Sequence, residues 1–392
     1  MSGLIGYSQE LQTISNNVAN LNTPGFKGSD TQFSDLFSQD NSPSGGSNTA
    51  TGEGLQTLPA VINFAAGQAT QTGIDTNMIN SGNSFFVLKD PTTGQISYTQ
   101  DGQFSFNSSG VLVDSTGKLD VQALSASGQL SNLTQANLQN STPKASTTIT
   151  MSGNLSSSGT TTPVTDTVSN INVIDADGGT HTLTATFTES TSSSGTWSVS
   201  ISDANGSVVS GGTFVYSGGA ISTNAQDNSY TFTYSPAGVP SMSLTINMAG
   251  TTSYATSSTL APQTIDGYTA GTVTNAAFNQ NGTLVLTYSN GQTANGQTVA
   301  LANFSSTANL QEYGAGNNAF ITPNNSEAHL GTAGSNSAWG SITAGSIQAS
   351  NVDLSTEFSA IIITQRGYQA ASEVVSTANQ MMQNALDMKG QG

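Results

Sequence analysis

The sequence predicts a multidomain α+β protein. Terminal α-helices pair as a coiled-coil-like inner domain, and two nested, mainly antiparallel β domains lie between them. Three observations carry this reading. Apolar residues recur at helical spacing only near the two ends. The centre alternates apolar and polar residues, the pattern of antiparallel sheets with one wet face. The chain has 392 residues, more than one ordinary domain needs.

At the N-terminus, Leu4, Tyr7, Leu11, Ile14, Val18 and Leu21 are spaced 3, 4, 3, 4, 3, a heptad seam. The stretch "NNVANLNTPGFKG" (16–28) closes this helix. Thr23 precedes Pro24, which disfavours helix at Thr23. Pro24-Gly25 fits the two central positions of a type II turn, so the helix is expected to end near Asn22. Asn16 and Asn20 share one face, away from the seam. An amide offers both a donor and an acceptor without charge, so these residues suit a packed helical layer where a buried Lys or Glu would cost far more.

Residues 38–54, "SQDNSPSGGSNTATGEG", are rich in Ser, Gly and Asn and have no apolar periodicity. They read as a mobile linker. From about 66 to 262 the chain reads as strands. "THTLTATFTES" places Leu183, Ala185 and Phe187 on one face. "TWSVSIS", "SYTFTYS" and "SMSLTINM" alternate likewise, through Trp197, Val199 and Ile201, through Tyr230, Phe232 and Tyr234, and through Met242, Leu244, Ile246 and Met248. Asn205-Gly206 and Asn290-Gly291 mark turns.

Helical spacing returns after "SNVD", where Ser350, Asn351 and Asp353 are candidate helix-starting residues. Leu354, Phe358, Ile361, Tyr368, Val375 and Met382 share a stripe, flanked by a second strip through Ala371, Val374, Ala378, Met381, Ala385 and Met388. Such a helix needs more than one neighbour, and the N-terminal helix is too short to be stable alone. If the two ends pair, everything between them is an excursion out and back. The expected domains are therefore 1–27 with 346–392 (helical), 28–65 (flexible linker), 66–145 with 262–345 (discontinuous middle β domain) and 146–261 (outer β domain).

Composition narrows the function. Six basic residues stand against 23 acidic ones, a net charge of −17, which argues against nucleic-acid binding. There is no cysteine, hence no disulfide or thiolate chemistry. No run approaches the roughly 20 apolar residues of a membrane span, and "MSGLIGYSQE" lacks the basic start of a secretory signal. His181 and His329 read as solvated surface residues. "DADGG" (175–179) lacks the further ligands of a calcium loop and reads as a hairpin turn. "STGKL" around Gly117-Lys118 lacks the pattern of a phosphate loop and reads as a turn too. The sequence selects no catalytic, metal or cofactor-binding residue, so an enzyme is not expected.

The two ends resemble a known family. "SGL…L…ISNNVANLNTPGFKGSDTQFSDLF", with Asn16, Asn17, Asn20, Thr23, Pro24, Gly25 and Phe26, is similar to the N-terminal signature of bacterial flagellar axial (rod and hook) proteins. "GSIQASNVDLSTEFSAIIITQRGYQAASEVVSTANQMMQNALDM" is similar to their C-terminal helix. Middle segments such as "TTITMSGNLSSS", "SNINVIDADGGTHTLTATF" and "DGYTAGTVTNAAFNQNGTLVLTYSNGQT" resemble those of the hook members, in the same order. There are departures. The chain starts several residues shorter ahead of Ser2-Gly3-Leu4, which would trim the first helical turns. "GNSFFVL" carries an extra Ser84, for which a local bulge is expected.

The resemblance implies a structural subunit with no cofactor. It would assemble with itself into a curved helical tube that acts as a universal joint and encloses an export channel, with the terminal helices innermost. Its implied partners are rod and hook–filament junction proteins, a hook cap and the flagellar type III export apparatus. It would be extracellular, exported without a cleaved signal and not inserted in a membrane. The alternatives are another axial component of the same family or, from a different class, a secreted β-rich adhesin or carbohydrate-active protein.

Overall fold

The computed structural model describes residues 2–38, 51–158, 163–193, 195–314, 318–323, 328–336 and 338–389. The chain divides into two compact units. One comprises Met1–Asn137, Ala276–Leu286 and Ala294–Gly392, the other Leu138–Asn275 and Thr287–Thr293. The fold is α+β, with terminal helices that pack on one another and two β-rich units.

In the first unit, helix Ser2–Ala19 stops short of the expected Asn22. The chain tightens beyond it into i−3 bonds, Leu21 N to Val18 O (3.3 Å) and Thr23 N to Asn20 O (3.0 Å). The type II turn follows as expected. Phe26 N donates to Thr23 O (3.3 Å), and Gly25 has φ +69. A side chain at position 25 would place its Cβ 2.6 Å from Cβ of Asp101, so glycine is required here for space as well as conformation.

The expected linker is a correction. Ser29–Ser38 and Thr51–Ile62 form a two-stranded antiparallel ribbon; residues 39–50 of that segment lie outside the described residues. Two register shifts interrupt the ribbon. One falls between the pairs Gln32↔Leu58 and Asp30↔Val61 and contains Pro59, a residue with no N–H to give a ladder. The shift lets a strand pass through a proline. The N-terminal helix lies on this ribbon. Gly6 is buried there, and a Cβ on it would lie 2.8 Å from Cδ2 of Leu55 and 3.1 Å from Cε1 of Phe33. Thr31 Oγ1 donates to Thr13 Oγ1 (2.9 Å).

The sheet of this unit is antiparallel. Strand Phe85–Lys89 pairs with Ile96–Thr99, Asp120–Leu124 and Leu301–Phe304. Its core gathers Phe85, Val87, Tyr98, Ala300, Ala302, Leu310 and Phe320. Phe64 meets Phe85 and Phe320 edge-on, with centroids 5.4 and 5.0 Å apart. Ser84 produces no bulge in the strand, whose register runs unbroken from Phe86↔Thr99 to Lys89↔Ile96. The extra residue is absorbed just ahead of the strand, with its side chain buried. The turn at Gly117-Lys118 is present, closed by Asp114, whose Oδ1 accepts Lys118 N and Leu119 N (2.9 Å each). His329 is exposed as expected, on strand Ala328–Gly331. The unit ends in helix Leu354–Lys389. Asp353 caps it, its Oδ1 accepting Thr356 N at 2.8 Å.

In the second unit, Thr165–Ile174, Thr180–Glu189, Thr196–Asp203 and Gly206–Ser217 form an antiparallel meander. Met242–Tyr254 pairs antiparallel with Ser229–Tyr234 and parallel with Thr148–Ser156, so the mainly antiparallel sheet contains one parallel ladder. The alternating residues named from the sequence point into one core with Met151, Leu155 and Phe214; only Tyr230 is partly buried. Buried polar atoms are paired: Trp197 Nε1 donates to Ser253 Oγ (3.1 Å), and the Tyr216 hydroxyl lies 2.7 Å from Thr251 Oγ1. Strands Thr148–Ser156 and Ala261–Ile265 are antiparallel neighbours, with Ile149 opposite Ile265.

Phe187 is fully buried, 6.0 Å from the ring of Phe214. Phe187→Ala is expected to destabilise the second unit by about 3–5 kcal/mol. Urea unfolding followed through Trp197 fluorescence, in a Trp339→Phe background, would show a lowered midpoint.

Candidate functional site

The terminal helices and the strands that lead into them meet in a polar junction within the first unit. Its centre is Asn17, 2% exposed. The Asn17 side chain pairs with the backbone of Ser29 as a neighbouring strand would: Oδ1 accepts Ser29 N and Nδ2 donates to Ser29 O, both at 3.0 Å. Nδ2 also donates to Glu357 Oε1 at 3.0 Å, which ties the first turn of the C-terminal helix to the N-terminal one.

Asn351 does the same work one layer away. Its Oδ1 accepts Gly28 N (2.8 Å), and its Nδ2 donates to Asn63 O (2.7 Å) and Ala65 O (3.1 Å). Lys27 is 3% exposed and donates to Ala65 O (3.0 Å) and Gln348 Oε1 (2.7 Å). Gly25 N donates to Gln348 O (2.8 Å), and Asn318 Nδ2 to Pro24 O (2.7 Å). Four crossings of the chain are thereby joined by uncharged oxygens and amides around one ammonium.

Burial pushes the Lys27 ammonium down to about 8. Burial also pushes the Asp101 carboxyl, packed behind Gly25, up to about 7, against the Gln103 N–H that favours its anion and with the Asp114 charge adding to the rise. Glu357 is raised by burial too, partly offset by the Asn17 donor.

The helices run antiparallel. Tyr7 packs on Gly367, where a Cβ would lie 2.6 Å from the ring, and Asn17 meets Glu357. The face of the C-terminal helix with buried or half-buried residues runs through Glu357, Ile361, Thr364, Gly367, Ala371 and Val375. Of the expected stripe, Ile361 and Val375 lie on that face. Leu354, Phe358, Tyr368 and Met382 do not, at 38, 52, 41 and 61% exposed. A strict seven-residue stripe drifts about 20° per heptad around a straight helix, and close approach here uses small residues. On the N-terminal helix Ile14 is buried, and Leu4, Tyr7, Leu11, Val18 and, just beyond it, Leu21 are half-buried. Asn20 Nδ2 donates back to Asn16 O and Oδ1 (3.0 and 3.1 Å), and Thr23 Oγ1 to Asn20 Oδ1 (3.1 Å). Phe26 is buried beneath the turn.

The N-terminal helix of 18 residues is about 27 Å long and the C-terminal helix of 36 residues about 54 Å. Set against the Tyr7–Gly367 contact, the shorter helix covers the longer one for only half its length. Beyond it Val374, Met381, Met382, Leu386 and Met388 are 61–75% exposed.

Elsewhere, "DADGG" is the hairpin turn expected. Asp175 accepts Asp177 N (2.9 Å) and Gly179 N (2.7 Å). His181 is a correction: it is not simply solvated, since its Nε2 lies 2.7 Å from Asp175 Oδ2 and its ring packs edge-on to Tyr234. Among the described residues no acidic or histidine cluster has the form of a metal site, and no helix is long and apolar enough to cross a membrane.

Three family profiles match the chain in order: "Flagella basal body rod protein" over residues 1–27, "Flagellar hook protein FlgE/F/G D1 domain" over 78–157 and "Flagellar basal body rod FlgEFG protein C-terminal" over 343–388. The first and third cover the two sides of the polar junction. The chain belongs to the flagellar hook and basal-body rod protein family. Members of this hook and rod family are structural proteins, and this chain is an axial structural subunit rather than an enzyme. It is 28% identical to the flagellar hook protein FlgE of Escherichia coli K12 and 28% identical to that of Treponema pallidum, each over 99% of this chain and 98% of the relative. Among solved structures it is similar to the flagellar hook protein FlgE2 of Helicobacter pylori, with 12% identity, TM-score 0.47, and coverage of 70% of this chain and 98% of that one.

The Lys27 shift has a testable sign. An unfolded lysine holds its proton to 10.5, and the docked one to about 8. Between those values the opened junction binds the extra proton, so docking strengthens as pH rises. Amide exchange at Gly28, Asn63 and Ala349, corrected for base catalysis, should show protection rising from pH 8 to about 10. Lys27→Met should abolish the rise.

Proposed function

We propose that this chain is the subunit of a flagellar hook, in which copies assemble into a curved tube that links rod to filament, carries torque as a universal joint and surrounds an export channel. The observation that carries the reading is the uncovered half of the C-terminal helix. A regular helix exposing Val374, Met381, Met382, Leu386 and Met388 has no partner in its own described chain. Contiguous apolar surface of this kind marks an interaction site. Matching relatives named as hook proteins over nearly their whole length supports the same conclusion.

In this proposal residues 1–27 and 346–392 form the inner helical layer, packed in coiled-coil fashion. Leu4, Tyr7, Leu11, Ile14, Val18, Leu21, Ile361 and Val375 close the intramolecular seam, while Leu354, Phe358, Tyr368 and Met382 face neighbouring copies. Residues 66–145 with 262–345 form a middle layer and 146–261 the outer one. Rod and junction proteins, a hook cap and the type III export apparatus are the further partners, and the assembled protein lies outside the cell.

Electron microscopy of purified protein tests this. Curved tubes or short protofilaments are expected; persistently dispersed protein with saturable glycan affinity would overturn it. Leu386→Asp places a carboxylate on the uncovered stripe and should prevent tubes while leaving both β units folded by circular dichroism. A second variant addresses the layers. Lys144 and Tyr268 are hydrogen-bonded neighbours (2.9 and 3.0 Å), so a short Gly/Ser bridge between them can replace 145–267. That polymer should be straight or altered in curvature, because bending changes spacing most at the outer radius. Unchanged curvature would count against the outer-layer assignment.

A further inference from the structure

The main segment of the second unit, Leu138–Asn275, is entered and left through one pair of strands, and the short segment Thr287–Thr293 lies beside the outgoing one, Ser289 N donating to Thr272 O (2.8 Å). Asn140 lies opposite Thr272, Lys144 opposite Tyr268, and Ile149 opposite Ile265. The incoming and outgoing chains are antiparallel and depart from the same end of the pair. Tension that separates them therefore meets the ladder one rung at a time, the geometry in which hydrogen bonds resist least.

One carboxylate sits inside this fork. Asp266, on the outgoing strand, accepts Thr147 N (2.7 Å) and Thr148 N (2.9 Å) on Oδ1, and Thr147 Oγ1 (2.7 Å) and Lys144 Nζ (3.3 Å) on Oδ2. A single side chain thus holds three residues of the incoming strand through four donors. The neck is also fixed inward. Ser146 N donates to Ile174 O (2.9 Å) and Ser146 Oγ accepts Ile174 N (2.8 Å). Gly267 passes so close to Ser146 that a Cβ would overlap its hydroxyl.

We propose that Asp266 is a mechanical lock for the second unit, a positioning residue that converts a rung-by-rung opening of the neck into one that must break several charge-assisted bonds at once. Burial alone would raise its carboxyl, but the donors from Thr148, Thr147 and Lys144 outweigh this and hold it at about 2. The anion is therefore in place throughout the neutral range. The role does not depend on the assembly reading; it requires only that force reach the unit through its own chain.

The chain has no cysteine, so cysteines introduced at Asn137 and Asn275 provide unique handles for optical-tweezer pulling on the full-length protein. Asp266→Asn keeps the shape and removes the charge. It should lower the force of the first opening event, and raise amide exchange at Thr147 and Thr148 about tenfold or more, as expected for loss of hydrogen bonds to a charged group. Lys144→Met should produce a smaller part of the same drop. Asp203→Asn is the control, since Asp203 caps a remote hairpin by accepting Asn205 N (2.8 Å). It should leave the first opening force unchanged even if overall stability falls. An unchanged opening force in Asp266→Asn, or an equal drop in Asp203→Asn, would overturn the lock. Should Asp266→Asn fail to fold, Thr147→Val, which removes one donor only, provides the same comparison.

Discussion

The amide of Asn17 is the contact on which the rest of the first unit depends. It faces the backbone of Ser29 with both its donor and its acceptor, and it reaches Glu357 with the remaining hydrogen. No other side chain fits this place. Asp would lack the donors, Gln would carry the amide too far, and an apolar residue would leave the N–H and C=O of Ser29 buried and unpaired. The position of the ribbon on the N-terminal helix and the docking of the C-terminal helix are set at the same point. The dense asparagines thus divide by role. Asn17 joins chain crossings, while Asn16 and Asn20 bond along their own helix and lead into the Pro24-Gly25 turn.

Charge is used sparingly around that point. Lys27 is satisfied by two neutral oxygens, and Asp101 by a backbone N–H. Among the described residues neither has an opposite charge in ion-pair contact. A buried ion without a counter-ion is costly, so at neutral pH these groups oppose docking while their hydrogen bonds specify its geometry. The junction gains a unique arrangement more than it gains stability.

Much of the fold was legible in the sequence. Period-two alternation located four of the core strands of the second unit residue by residue, because each has one buried face. The Asp353 cap and the type II turn were legible because their chemistry is local. The ribbon at 29–62 was not. Two register shifts break its period, Pro59 argues against a strand, and one of its faces is covered by the N-terminal helix. Within one chain the expected stripe is buried or half-buried along the short helix, but only at Ile361 and Val375 on the long one. Apolar residues mark what a helix could bury, whereas the observed contact is built on Thr364 and Gly367, chosen for size. The junction roles of Lys27, Gln348 and Asn351 carried no sequence signal, since their partners lie in distant segments and several are backbone atoms.

The distribution of sulfur has a consequence for redox chemistry. Met78, Met151, Met242 and Met248 are at most 8% exposed inside the two cores, whereas Met381, Met382 and Met388 stand on the uncovered end of the C-terminal helix. With no thiol in the chain, these three thioethers are, among the described residues, the accessible sinks for an oxidant such as peroxide. Each sulfoxide would replace an apolar side chain by a polar one on the stripe that has no intramolecular partner. The cores would keep their methionines reduced. Oxidative damage would therefore register first as a change in how this helix end associates, before either unit lost its fold.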